Sequence, residues 1–176
     1  MIATDVLMLI LRFLHIVLGA AWFGAVFLFV GFIGPSAAEV GPSAGSLLSA
    51  VVKKRRIAKV ITSLSMIAVT AGWIMWLRQV DLVGSLGDWV SSSYGLGLTI
   101  GGVLATVAAF TGLYGVGRNV ERMVDLGDTI AASGGPPSPE QHQEMGRLGA
   151  ELERAGKMDL ALLFLAVSAM ATARYW

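Results

Sequence analysis

The sequence predicts an all-α membrane protein: a single integral membrane domain over 1–176, built as a bundle of four transmembrane helices with a cytoplasmic helical loop between the third and fourth. Three observations predict it. Hydrophobic residues make up 55% of the 176 and charged residues only 14%, with mean hydropathy +0.71. Four apolar stretches, at about 6–33, 58–80, 95–117 and 158–175, approach or exceed the roughly 20 residues a helix needs to cross a bilayer. The third observation is the sorting of charge. Lys53, Lys54, Arg55, Arg56 and Lys59 precede the second stretch, and Arg118, Arg122, Arg147, Arg154 and Lys157 lie between the third and fourth. Only Arg12, Arg78 and Arg174 of the 13 basic residues fall near the opposite end. Basic loops stay inside, which predicts an inner-membrane protein with both termini on the outer side.

The first stretch reads as an uncleaved span, because no basic residue precedes it and it is far too long for the apolar core of a signal peptide. The loop after it, 34–56, opens with Gly34-Pro35 and carries a second pair at Gly41-Pro42, each expected to mark a turn or helix end. The short loop at about 81–93 joins the second and third spans. Trp73, Trp76, Trp89 and Trp176 are expected near that face as an interfacial belt. Gly97, Gly101, Ala105 and Ala109 recur at every fourth position of the third span and form a small-residue stripe for close helix approach. That stripe predicts docking onto a second copy or other membrane subunits, with packing against the fourth span as the internal alternative. Residues 119–132 continue the third helix until Ser133-Gly-Gly-Pro-Pro breaks it. Ser138-Pro139-Glu140-Gln141 starts the next helix: serine as N-cap, proline at the first helical position and glutamine closing a capping box. Glu144 with Arg147, Glu151 with Arg154 and Glu153 with Lys157 are spaced to pair along it, and His142 is expected on its surface.

Much is excluded. Without cysteine there are no disulfides, thiolate metal sites, iron–sulfur clusters or cysteine nucleophiles. The spans leave no room for a soluble catalytic domain. They hold no paired carboxylates, no phosphate-cradling loop before a lysine and no HExxH. The basic clusters read as topology signals, with no aromatic interleaving to suggest nucleic acid.

Chemistry is therefore expected at Arg12 and His15, three residues apart inside the first apolar stretch, where ionisable groups are costly and face a bundle interior, a cavity or a ligand. Equal depth in the other spans reaches Thr70, residues 104–106 and residues 165–168. Met8, Arg12, Gly19 and Trp22 share or flank the His15 face, and Thr62, Met66, Thr70 and Trp73 form a stripe on the second span. Three readings compete. His15 bonds Thr70, Thr106 or Ser168 across the bundle and no cofactor is held. Alternatively, His15 is an axial ligand of haem b with Arg12 on a propionate; Met66, Met75, Met170, a second protomer or nothing then takes the sixth position, and Thr70 lines the site. In the last, His15 joins Met8, Met75 or Met170 in a soft site suited to Cu(I). Arg12 is divided between such an inward role and snorkelling to the interface.

The segment Leu14-His15-Ile-Val-Leu-Gly-Ala-Ala-Trp22-Phe-Gly24 resembles the first span of copper-resistance D-type membrane proteins and of HemJ-type protoporphyrinogen oxidases. Arg55-Arg56-Ile-Ala, Gly72, Tyr94-Gly95 and the ending Met170-Ala-Thr-Ala-Arg174-Tyr continue the resemblance, the last also to related four-span bacterial proteins. The HemJ resemblance implies haem, oligomers and a ligand role for His15; the copper-resistance resemblance implies copper handling or uptake. The chain departs from both where Gly101 and Gly102 stand in the region of a lysine, which argues against protoporphyrinogen oxidation and leaves either a haem or metal site with a different task or no site at all.

Overall fold

The computed structural model describes residues 2–175, the side chains at positions 2–5 and 42 excepted, so Trp176 lies outside the described residues. The described chain is all-helical. Four of its helical rods are long and apolar enough to cross a membrane: Val6–Val40, Ile57–Val83, Ser93–Ala132 and Pro139–Tyr175. They alternate in direction, so both described ends of the chain lie at one end of the bundle. The basic loops lie at the other, called the loop end below.

The first rod is α1 (Ile2–Leu28), a π-helical turn over Phe29–Ile33, and α2 (Gly34–Val40). The Gly34-Pro35 pair therefore does not end the helix as expected. Proline lacks the N–H for an i−4 bond and clashes with that carbonyl, and the widened turn just before it takes up the misfit. The break falls instead at Gly41, with φ of 69°. A short α3 (Gly45–Ser49) and a π turn over Ala50–Lys54 lead to α4 (Ile57–Val83). Arg56 turns the chain into α4 with a left-handed φ of 51°, and Gly84 ends it in the left-handed C-cap that glycine favours.

Ser85 caps α5 (Leu86–Ser91) and Ser92 caps α6 (Ser93–Thr111), each accepting a backbone N–H three residues on. A π turn over Gly112–Gly117 carries α6 into α7 (Arg118–Ala132). The capping box of Ser138 and Gln141 forms as expected and opens α8 (Pro139–Thr172). Glu144 and Glu153 pair with Arg147 and Lys157 as expected, and His142 is exposed, whereas Glu151 pairs with Arg147 rather than Arg154. Beyond the membrane-length stretches, Lys53 bridges Asp125 at 2.9 Å and Asp128 at 2.5 Å, docking the first loop on α7. Those two carboxylates, Asp128 first, hold the lysine amine above its ordinary 10.5.

Two tight antiparallel pairs make the bundle, α1 with α4 and α6 with α8. They join through α4–α6 and, toward the loop end, α1–α8. The core where they meet is Trp22, Val26, Ala105, Ala108, Ala109, Leu163 and Ala166. Alanine dominates because a bundle in lipid gains little from hiding apolar surface; helices associate through close backbone approach and dispersion. The small-residue stripe of α6 is used inside the chain. A methyl on Gly97 would stand 2.7 Å from the Ala173 Cβ, and one on Gly101 2.5 Å from the Met170 Cγ. Gly97 and Gly101 thus pack against α8 and the turn that follows it, the internal alternative for the stripe.

Candidate functional site

His15 sits in the α1–α4 seam. The face of α4 opposite it is Ser65, Ala68 and Ala71, all buried, followed by Gly72. These small residues let the two backbones close until an imidazole fits between them. The His15 Nδ1–H donates to the Ala68 carbonyl at 2.8 Å. The ring lies against Gly72: a methyl there would stand 2.8 Å from Cε1 and 2.9 Å from Nδ1. Threonine and serine hydroxyls were the expected partners; a backbone carbonyl takes their place. That carbonyl already accepts within α4, and its second lone pair accepts the ring N–H.

The acceptor fixes the tautomer. A carbonyl can only accept, so Nδ1 carries a proton, and in the neutral imidazole the lone pair is then on Nε2. Nε2 makes no hydrogen bond among the described residues and is not sealed inside the chain. Histidines that ligate metals donate their other ring N–H in this way to a carbonyl or carboxylate, which sets ring orientation and raises basicity. The arrangement is competent to ligate. It also serves as an interhelical tie.

The other expected site residues are not gathered into one pocket. Arg12 is exposed on the outside of α1, without an ion pair among the described residues, which matches the snorkelling arrangement. Met66, 48% exposed, and Thr70 turn outward and line a shallow apolar groove of about 280 Å3 with Leu11, Leu14, Ile67 and Ile74. Met170 is in the other seam, its side chain against Gly101. Met8 and Met75 are half-buried and stay in the α1–α4 register. Met8 lies two turns before His15 on α1, and Met75 one turn beyond Gly72 on α4. No group of three or more His, Cys, Asp or Glu assembles among the described residues.

Trp73 and Trp76 also depart from expectation. Rather than lying in a belt, they turn to α6 and donate to Thr106 at 2.9 Å and Thr99 at 2.8 Å. Each threonine hydroxyl in turn donates to the carbonyl four residues back. These two chains tie α4 to α6 beside the His15 seam and use up Thr106. Trp89 is buried at 4% exposure rather than interfacial.

One buried ionisable residue escaped sequence reasoning. Asp159, 2% exposed, lies on α8. It follows Glu153, Arg154 and Lys157 at the very start of the fourth apolar stretch, where it drew no reading of its own. The usable signal was its neighbours at helical spacing, Ala155, Gly156, Leu162 and Leu163, none of which can pair with a charge.

No family model, curated protein or solved structure matches this chain.

Proposed function

We propose that this is a multi-pass inner-membrane protein, its termini on the outer side, that holds a redox cofactor through His15 Nε2, haem b before copper. The observation that carries the reading is the 2.8 Å hydrogen bond from Nδ1 to the Ala68 carbonyl, which leaves Nε2 as a free, oriented base. A haem would supply one-electron transfer. The chain's part is to orient the imidazole, through the Ala68 carbonyl and the Gly72 surface. The groove beside the seam offers apolar contact, and Arg12, exposed on α1, would reach a propionate only at its outer edge. The residues fit a single-imidazole site open at its side. Met170, packed on Gly101, does not fit as a sixth ligand, so that position falls to Met66, to Met75, to a second copy of the chain or to none. The resemblance of the Leu14–Gly24 segment to haem- and copper-associated membrane proteins supports the same reading.

Copper is the second reading: the imidazole of His15 with the thioethers of Met8 and Met75, half-buried on α1 and α4, would suit Cu(I). An absorption spectrum and metal analysis of protein purified from haem- and copper-sufficient cells test both. The expected result is a Soret band, lost in His15→Ala with the fold retained. Stoichiometric copper without that band assigns the site to metal handling. A colourless, metal-free protein refutes the cofactor reading and leaves His15 as an interhelical tie in an accessory membrane subunit.

A further inference from the structure

We propose that Asp159 is a membrane-embedded binding site for a small monovalent cation, H+ or Na+, independent of His15. Its side chain is 2% exposed and its Oδ1 has no hydrogen-bond partner among the described residues. Asp159 is the second residue of the apolar stretch 158–175, and 16 residues at 1.5 Å each put it about 24 Å from Tyr175, toward the loop-side edge of an apolar layer about 30 Å thick. A bare carboxylate there lacks both water and a counter-charge. Buried charges in proteins are paired, bound to a metal or neutralised by a proton. The chain supplies no partner.

The charged and titratable groups of the elements packed on α8 do not reach it. On α1 these are exposed Arg12 and half-buried His15, the latter nearer the terminal end by more than two helical turns. Tyr94 of α6 and Tyr114 of the π turn are exposed. So are the charged residues of α7, from Arg118 and Glu121 onward, and Arg174 and Tyr175 beyond α8. On α8 itself Glu153 and Lys157 pair with each other at the surface.

What does face the carboxylate is glycine. A methyl at Gly112 would stand 3.4 Å from Oδ2, so the missing side chain leaves the space beside the carboxylate open. Gly112 also begins the π turn Gly-Leu-Tyr-Gly-Val-Gly, and π turns inside α-helices often mark functional sites. Glycine lets a ligand approach the backbone beside the carboxylate closely. One carboxylate, with no second acidic group or histidine beside it, matches a single positive charge rather than a divalent ion.

The full chain in lipid nanodiscs, treated with dicyclohexylcarbodiimide and read by peptide mass spectrometry, tests the proposal. This reagent attacks protonated carboxyls in apolar surroundings. Asp159 should be modified, less as pH rises. If labelling at fixed pH is equal in NaCl and choline chloride, the occupant is the proton; if NaCl protects, it is Na+. No modification in sodium-free medium at any pH that preserves the fold would overturn the proposal. Thermal unfolding gives an independent readout. The midpoint should depend on the identified cation in the wild type, and that dependence should be lost in Asp159→Asn. An equal dependence in the variant would overturn the proposal as well.

Discussion

Replacing Gly72 with alanine isolates the contact on which the His15 geometry depends. The added methyl would sit 2.8 Å from Cε1 and 2.9 Å from Nδ1, so the ring must move and the bond to the Ala68 carbonyl must lengthen or break. Overpacking a close contact costs about 1–3 kcal/mol. Loss of an interhelical hydrogen bond in lipid adds about 0.6 kcal/mol, up to about 1.7. Alanine returns up to about 1 kcal/mol of helix propensity. The net expectation is a destabilisation of about 0.5–3 kcal/mol. In a His15→Ala background the ring is absent, so Gly72→Ala should be neutral or stabilise by up to about 1 kcal/mol. Reversible unfolding in mixed micelles, followed by tryptophan fluorescence, supplies the four corners of the cycle. If Gly72→Ala costs as much without the imidazole as with it, the ring contact is not the cause and the proposed orientation of His15 fails. Where a cofactor is bound, the same substitution should weaken it, because the ring can no longer hold both the carbonyl and the ligand.

Three further outcomes are expected. Trp73→Phe and Thr106→Val should each destabilise the bundle, with a coupling of about 0.6 kcal/mol in a double-mutant cycle, the usual size for an interhelical bond in lipid; additive effects would refute the tie. Gly101→Ala drives a methyl to 2.5 Å from the Met170 Cγ and 3.0 Å from the Ala166 carbonyl. It should lower the unfolding midpoint in detergent without changing the oligomer distribution, and a change in assembly with stability intact would show that the stripe faces another subunit. Glu144 and Glu153 are held below the ordinary 4.5 by hydrogen bonds to Arg147 and Lys157. A depressed carboxylate stabilises the fold above its unfolded value, and the contribution is lost as pH falls through the folded one. Amide exchange over residues 139–157 should therefore stay slow from neutral pH down to about 4.5 and quicken below it, after correction for intrinsic rates. Quickening well above that value would refute a role for these pairs.

The sequence by itself determined the elements. Four spans follow from apolar length, and the end of α7 and the start of α8 from Ser133-Gly-Gly-Pro-Pro and Ser138. All are local effects: caps, left-handed turns and proline need only their neighbours in the chain. Gly34-Pro35 was misread because a π turn can absorb a proline that an α-helix cannot, and the short helices inside the expected loops, α3 and α5, carry too few apolar residues to show a period.

Which face of each span meets another helix was decided by the tertiary structure. Hydrophobic periodicity reveals the core-facing side of a soluble helix because its other side meets water. Against lipid both sides are apolar, so the pattern says little about facing. Met66 and Thr70 could thus be placed at the depth of His15 and still turn outward, while Trp73 and Trp76 turned inward to Thr106 and Thr99. The partner of His15 was hidden for a related reason. Every residue carries the same carbonyl, and Ala68 became the acceptor only because Gly72, one turn away, let the ring lie flat against the helix. Asp159 shows the same division: its position was legible, but its burial required the glycine-rich turn of another helix to close over it.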